Sequence, residues 1–415
     1  MKIGIVMAIA LGLRLIGLNQ SLWLDEAISA NVAKNYSLME IPSQFSKSDF
    51  HPPLYYMMLD GWTNIAGDSE ISLRLPSVIF SMVTIYIVYL MGGVGAAALV
   101  GFNPLLVYYS QEARMYSMVT MLLILGIYFW QKRKYFWVNV FFGLSFLTFY
   151  GSVFLPAGLS IYLLLKRNYK EIVKINIGLV AAILINLPLL RQQLVNSKIL
   201  LDQVTNWSLV LGKANIKNLG LIFIKFTSGR ISFYPKYVYY LIAGLWAVFV
   251  WMRSIKINKW TIILGLSLGV GIIFSIFTPM LQYFRFIYLI PIMALALKNK
   301  KLVAGGFLVF SLVYVLNSNF YREDWKSLVG NLEGKVYMIE SFVDPVKYYN
   351  PKIEVVDIRG EITETKIAVV PYGAMIHGVE TESLLIGQGF KKVEEKNFRE
   401  LSLEYWEKEE LLQKL

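Results

Sequence analysis

Leu22-Trp23-Leu24-Asp25-Glu26 follows an apolar run from Ile3 to Leu18 and sets two adjacent carboxylates at the end of a hydrophobic segment. A charge at a membrane boundary costs free energy unless it is solvated or paired, so acids gathered in one place mark a site. Seven of the ten acidic residues before position 318 fall between Asp25 and Glu70, and Glu112 lies in the next loop on the same side. The stretch decides where the first span ends and where the polar chemistry begins.

Hydrophobic residues make up 56% of the 415-residue chain, and mean hydropathy is +0.53. That composition indicates a polytopic membrane protein. A cleaved leader requires a small-residue cleavage site after the first apolar run. Trp23-Leu24-Asp25-Glu26 stands there instead, so residues 3–18 read as a retained first span. The absence of cysteine excludes disulfides, thiolate chemistry and a Cys-containing zinc site.

The net charge of +12 is split unevenly. Residues 1–317 are strongly basic, whereas residues 318–415 carry an acidic surplus. No zinc-finger spacing, basic helix or aromatic RNA-binding motif accompanies the positive charge, so nucleic acid is not an expected partner. Loop Lys and Arg that orient spans account for it.

Apolar stretches predict about eleven spans, near 3–18, 76–92, 94–109, 115–131, 135–150, 152–165, 172–190, 237–252, 260–279, 284–297 and 301–317. With a cytoplasmic N-terminus, the inside loops hold Lys132-Arg133-Lys134, then Lys166, Arg167 and Lys170, then Arg253, Lys256 and Lys259, then Lys298, Lys300 and Lys301. Only the turn at Met91-Gly92-Gly93 lacks a cation, and this bias orients the protein in the cell membrane. A first loop (19–75), a short second loop around Glu112 and a long third loop (191–236) then face outward. Leu219 to Phe226 reads as an amphipathic helix at the lipid interface.

Residues 1–317 therefore form a transmembrane domain, and residues 318–415 a small extracytoplasmic α/β domain. Lys335–Ile339, Ile353–Asp357 and Lys366–Val370 read as strands, with helical patterns between and after them. No internal repeat suggests an inverted-repeat transporter.

Four groups of residues bear chemistry. Asp25 and Glu26 offer a general base or a ligand for a divalent cation, against the plainer reading of a helix cap or solvated loop charge. His51-Pro52-Pro53-Leu54-Tyr55-Tyr56 sets the body's lone histidine beside a rigid turn, an arrangement that faces a ligand more often than an isolated His does. Tyr109-Ser110-Gln111-Glu112-Ala113-Arg114-Met115-Tyr116 places an acid and a cation between two spans, either paired with each other or the first loop, or clamping a phosphosugar. Gln282-Tyr283-Phe284-Arg285-Phe286 puts Arg285 at the outer end of a span, where snorkelling to headgroups is the simpler reading and binding of a lipid phosphate the other. Arg14 and Arg74 read as structural partners of the loop acids. No closely spaced His or Cys ligand set demands a metal, so no cofactor is certain, and a divalent cation held by Asp25, Glu26 and Glu112 stays open.

The order of these motifs, together with Arg74-Leu75-Pro76-Ser77, resembles that of the GT-C glycosyltransferases. Within them it is similar to bacterial and archaeal relatives of the protein O-mannosyltransferases and of the lipid A aminoarabinose transferases. The likeness covers about the first 130 residues closely, returns at Gln282 to Pro291, and again at Tyr321-Arg322-Glu323-Asp324-Trp325-Lys326. It implies transfer of a sugar from a polyprenyl phosphate donor to a hydroxyl- or amine-bearing acceptor outside the membrane, with inversion. Carried over by motif, Asp25 is the catalytic base and Glu26 its catalytic support. His51, Tyr55, Glu112, Arg114, Tyr116 and Arg285 fall to substrate binding, Arg285 at the carrier phosphate. The β-trefoil domain of the eukaryotic mannosyltransferases is missing. A lipid-linked sugar flippase or a non-catalytic envelope assembly protein is the alternative.

Overall fold

The computed structural model describes residues 2–253, 255, 257–298 and 300–408. Lys256, one of the loop cations read as cytoplasmic, and residues 409–415 of the tail lie outside the described residues. Two separate hydrophobic cores are present, one built from residues up to Val315 and one from Trp325 to Trp406.

Among the described residues, three helices are long and apolar enough to cross a membrane: Glu70–Gly101, Tyr169–Gln203 and Lys259–Phe277. Shorter apolar helices stand beside them, among them Ile3–Leu15, Tyr116–Gln131, Tyr135–Thr148 and Lys236–Met252. The body is a polytopic helical membrane protein, and its exposed residues are in large part Leu, Ile, Val and Phe.

The segment predicted as a continuous span over 94–109 is broken. Gly93 adopts φ 74°, which ends the long descending helix, and the chain returns as a helix stopping at Gly101. Asn103 then caps Pro104–Ser110 by accepting from the amides of Leu105 and Leu106. Every residue of Pro104–Ser110 is buried in protein. Such a break is tolerated at membrane depth only where protein satisfies the freed backbone groups. Ser311 Oγ donates to the Phe102 carbonyl at 2.8 Å, and Arg14 Nη1 donates to the Gly101 carbonyl at 2.8 Å. Arg14 thus stitches a helix break, with further bonds to Ser81 Oγ and the Ala10 carbonyl, and does not pair with the loop acids as the sequence suggested.

The third loop also differs from expectation. The helix predicted to end near 190 continues to Gln203. At 1.5 Å per residue its 35 residues run about 52 Å, well beyond a ~30 Å hydrocarbon layer. Its protruding end grips the first loop: Gln193 Nε2 donates to the carbonyls of Ser46 and His51, and Asn196 Nδ2 to that of Lys47. The predicted amphipathic segment is the helix Ile216–Ser228, whose buried face (Ile222, Lys225, Phe226) packs on protein, with Lys225 Nζ bonded to Tyr239 Oη at 2.8 Å.

The tail holds one five-stranded sheet: β1 Lys335–Met338, β2 Glu354–Asp357, β3 Lys366–Val369, β4 Phe390–Phe398 and β5 Leu401–Lys408, in the order β2-β1-β3-β5-β4. β1 is parallel to β2 and β3, while β3, β5 and β4 run antiparallel. The sequence anticipated β1 to β3 but read helix beyond them. A single short helix, Thr381–Gly387, precedes the β4–β5 hairpin. The charged face of β4 points to solvent and hides the alternation that marks a strand.

This tail sits on the first loop. Tyr349 Oη accepts from the Leu22 amide at 2.8 Å, Asn31 Nδ2 donates to Asp344 Oδ1 at 2.8 Å, and Lys326 pairs with Glu70 at 2.8 Å.

Candidate active site

Leu22-Trp23-Leu24-Asp25-Glu26 is where the two cores meet, and each residue faces a different element. Leu22 is buried in the membrane body, and Leu24 packs against the core of the tail. Trp23 precedes the helix Leu24–Asn35, whose first turn holds both acids, a favourable place for negative charge beside unpaired backbone N–H groups. Trp23 Nε1 donates to Glu112 Oε1 at 2.9 Å.

Glu26 is fully buried and fully engaged. Arg74 grips it in bidentate fashion, Nε to Oε1 at 2.8 Å and Nη2 to Oε2 at 2.6 Å. The Ala113 amide donates to Oε1 at 2.7 Å, and Arg322 Nε lies 3.6 Å from Oε2. The remaining Arg74 donors go to the carbonyls of Leu18, Gln20 and Ser21, so the guanidinium has no spare N–H. Burial alone would raise the Glu26 pKa; Arg74 and Arg322 outweigh it and hold the carboxyl below its usual range. Both Glu26 oxygens are taken up by these bonds, so the carboxylate faces its neighbours and not open space.

Asp25, one residue earlier, is one-third exposed. Arg114 Nη2 approaches its Oδ2 at 3.6 Å, while Nη1 reaches the Asp25 carbonyl, Tyr56 Oη and Ser29 Oγ. Of the alternatives open for Arg114, the structure selects the first-loop acid over Glu112. The phenol that meets it is Tyr56. Tyr55 is buried in the body core and packs edge-on against Tyr56 at 5.9 Å.

Glu112 is buried, with Oε2 free of partners among the described residues. Burial, reinforced by Glu26 and Asp25 against Arg322 and Arg114, raises its pKa to about 7. His51 meets the first-loop acid Asp49: Nδ1 stands 3.4 Å from Asp49 Oδ2. Burial would raise the Asp49 pKa, yet His51 and Arg114 lower it to about 2. Tyr116 is buried between Tyr109 and Phe284. Arg285 is half-buried, donates to the Pro279 carbonyl at 3.4 Å, and lies in the electrostatic field of Asp25 and Tyr116 instead of reaching for headgroups.

Two cations escaped the sequence reading as site residues. Arg322 stacks on the Tyr108 ring at 4.2 Å, and its Nη1 has no partner among the described residues. Arg230 flanks the same ring at 4.8 Å and donates to Tyr108 Oη at 2.9 Å, with its side chain exposed. Both lie far in sequence from Asp25: Arg230 in the basic third loop, and Arg322 in a motif read as the junction to the tail domain. Among the described residues no group of three or more His, Cys, Asp or Glu side chains is placed to hold a metal.

Fold and site together define a polytopic helical membrane protein whose first loop and small tail domain meet over the polar cluster of Asp25, Glu26, Glu112 and Arg114. The same architecture is found in ArnT from Cupriavidus metallidurans. The crystal structure of that protein in the apo state matches with a TM-score of 0.57 and 12% identity, over 97% of both chains. The structure of the same protein bound to undecaprenyl phosphate matches with a TM-score of 0.56 and 12% identity, again over 97% of both. By sequence, residues 50–191 match the family described as dolichyl-phosphate-mannose-protein mannosyltransferase. No curated protein matches the chain by sequence.

Proposed function

We propose that the protein is a membrane glycosyltransferase that moves a sugar from a polyprenyl phosphate to a hydroxyl or amine on the outer side of the membrane. Residues 1–317 are the catalytic membrane domain, and residues 318–415 its extracytoplasmic cover. The observation that carries this reading is the contrast between two neighbouring carboxylates: Glu26 is locked by arginines, while Asp25 is one-third exposed with a single cation 3.6 Å away. An accessible carboxylate held by one arginine suits a general base. The shared fold with a protein solved with undecaprenyl phosphate supports a lipid phosphate as donor.

Asp25 takes the proton from the acceptor as its oxygen or nitrogen attacks the anomeric carbon. The bond from that carbon to the phosphate oxygen breaks, and the carrier leaves as polyprenyl phosphate. A phosphate leaving group needs cationic stabilisation and no acid. Arg285 and the exposed Arg230 are the cations that supply it in this reading. Attack from one face and departure from the other invert the anomeric carbon. Arg114 orients Asp25, and Glu26 positions both through the Ala113 amide.

The test is Asp25→Asn in the purified protein, supplied with polyprenyl-phosphate sugars and a membrane extract and read by mass spectrometry. Transfer should fall by roughly 100- to 10,000-fold, the usual worth of a general base, while undecaprenyl phosphate still binds. Undiminished transfer removes Asp25 from the role.

A further inference from the structure

One stretch of the third loop touches three parts of the molecule in turn. Gln193 holds the first loop at the carbonyls of Ser46 and His51. Further on, Asn206 holds the tail: its backbone N–H donates to the Ile376 carbonyl at 3.0 Å, and its Nδ2 to the Met375 carbonyl at 2.8 Å. The chain then passes through the short helix Trp207–Leu211 and ends against the segment that carries Arg285. There the Gly212 carbonyl accepts from the Leu281 amide at 2.8 Å, and Gln282 Nε2 donates to the Val210 carbonyl at 3.1 Å.

Between the last two anchors the stretch has no core of its own. No residue from Thr205 to Leu211 is buried, and Leu209 is 63% exposed. A segment without buried apolar contacts depends on the bonds at its ends and lies at the low end of local stability. Both ends fit closely. Gly212 has φ 93°, and a Cβ there would stand 2.6 Å from Gln282 Cγ and 2.8 Å from the Leu281 carbonyl carbon, so a side chain must push the Leu281-Gln282 backbone aside. At the tail end, a Cβ on Gly378 would stand 3.1 Å from Thr205 Oγ1.

The far anchor bears on Arg285. The Gln282 carbonyl accepts from the Arg285 amide at 3.0 Å and opens the helical turn Tyr283–Leu289. Among the described residues the Arg285 guanidinium makes one hydrogen bond, from Nη1 to the Pro279 carbonyl at 3.4 Å. Arg74 is locked by its own side-chain bonds; Arg285 is not, so its place follows the backbone from Pro279 to Gln282, which Gly212 clamps in the middle.

We propose that Asn206 and Gly212 are positioning residues: the stretch between them is a strap that ties the tail domain to the Arg285 turn and sets where Arg285 meets the carrier phosphate. The assignment rests on the glycosyltransferase reading above, which puts Arg285 at that phosphate. The experiment measures binding of undecaprenyl phosphate to the full chain in detergent, with Arg285 present and in an Arg285→Ala background. Gly212→Ala should weaken binding about fivefold with Arg285 present and less than about twofold without it, the coupling expected of residues that act through one another. Asn206→Ala, at the tail end, should show the same dependence on Arg285. Gln282→Ala removes only the side-chain bond to Val210; it replaces Gly212→Ala if that variant does not fold, and should weaken binding about twofold with the same dependence. Weakening that is equal in both backgrounds, or no weakening at all, reduces the strap to packing and overturns the proposal. If Arg285→Ala itself leaves binding unchanged, the place of Arg285 at the phosphate fails and the strap's role with it. Sugar transfer by the unaltered protein is read separately: if no donor turns over, the transferase reading fails, while the coupling of strap to Arg285 is still decided by lipid-phosphate binding.

Discussion

Two halves of one polar chamber behave oppositely. Around Glu26 the main partners are used up: Arg74 spends five N–H groups, both carboxylate oxygens are bonded, and the carboxylate is sealed from solvent. Around Asp25 groups are left over: the carboxylate is one-third exposed, Arg114 Nε is unpartnered, and Arg230 projects into the open. A saturated ion pair fixes the backbone; an unsaturated one is free to act on something else. The pair of acids that looks uniform in sequence is divided between a buried, bonded carboxylate and a part-exposed one by which side of the helix Leu24–Asn35 each faces.

The contrast breaks most visibly at the saturated half. Glu26→Gln leaves the Arg74 charge buried without its partner, a change that costs about 3–5 kcal/mol. Thermal unfolding should show a large loss for this variant, whereas Asp25→Asn should unfold close to the unaltered protein. Equal losses for the two would erase the distinction.

Glu112 sharpens it through pH. Its folded-state pKa of about 7 lies above the ordinary carboxylate value of 4.5, so folding favours the protonated form. That contribution to stability is complete below about pH 4.5 and lost as pH rises through about 7. Glu112→Gln keeps the shape without the charge. It should unfold at a higher temperature than the unaltered protein at pH 8 and show little difference at pH 4.5. A constant offset across that range would mean that burial does not govern this group.

The smallest effect is expected outside the chamber. Lys34 and Asp68 form a 3.5 Å pair with both side chains more than half exposed. Asp68→Asn should change stability by no more than about 0.5 kcal/mol, since solvent screens such pairs. A loss comparable to that of Glu26→Gln would show that total charge, and not burial, sets the ranking.

Much of the architecture was legible. Hydropathy located most apolar helices, and β-branched runs located β1 to β3. Arg74 was identifiable as a structural cation because it lies close to the loop acids in sequence. What escaped did so for physical reasons. The span at 94–109 contains no polar residue before Asn103 to betray its break, which depends on Ser311 and Arg14 supplied from elsewhere. The β4–β5 hairpin hides its alternation behind lysines and glutamates. Arg230 and Arg322 meet only through Tyr108, about a hundred or more residues away from each, and no local pattern encodes such a meeting. The choice between Tyr55 and Tyr56 turns on helix phase, which two adjacent tyrosines cannot reveal.

Leu24 has one further consequence, for the order of events during synthesis. Its side chain belongs to the core of the tail, and the guanidinium that completes the Glu26 cluster comes from Arg322. The first outward loop thus emerges early from the ribosome but lacks its final neighbours until nearly the last hundred residues have been made and carried across the bilayer. A partly made chain holds Asp25 without the wall that encloses it. The polar cluster around Glu26 is complete only when Arg322 and the tail core are in place.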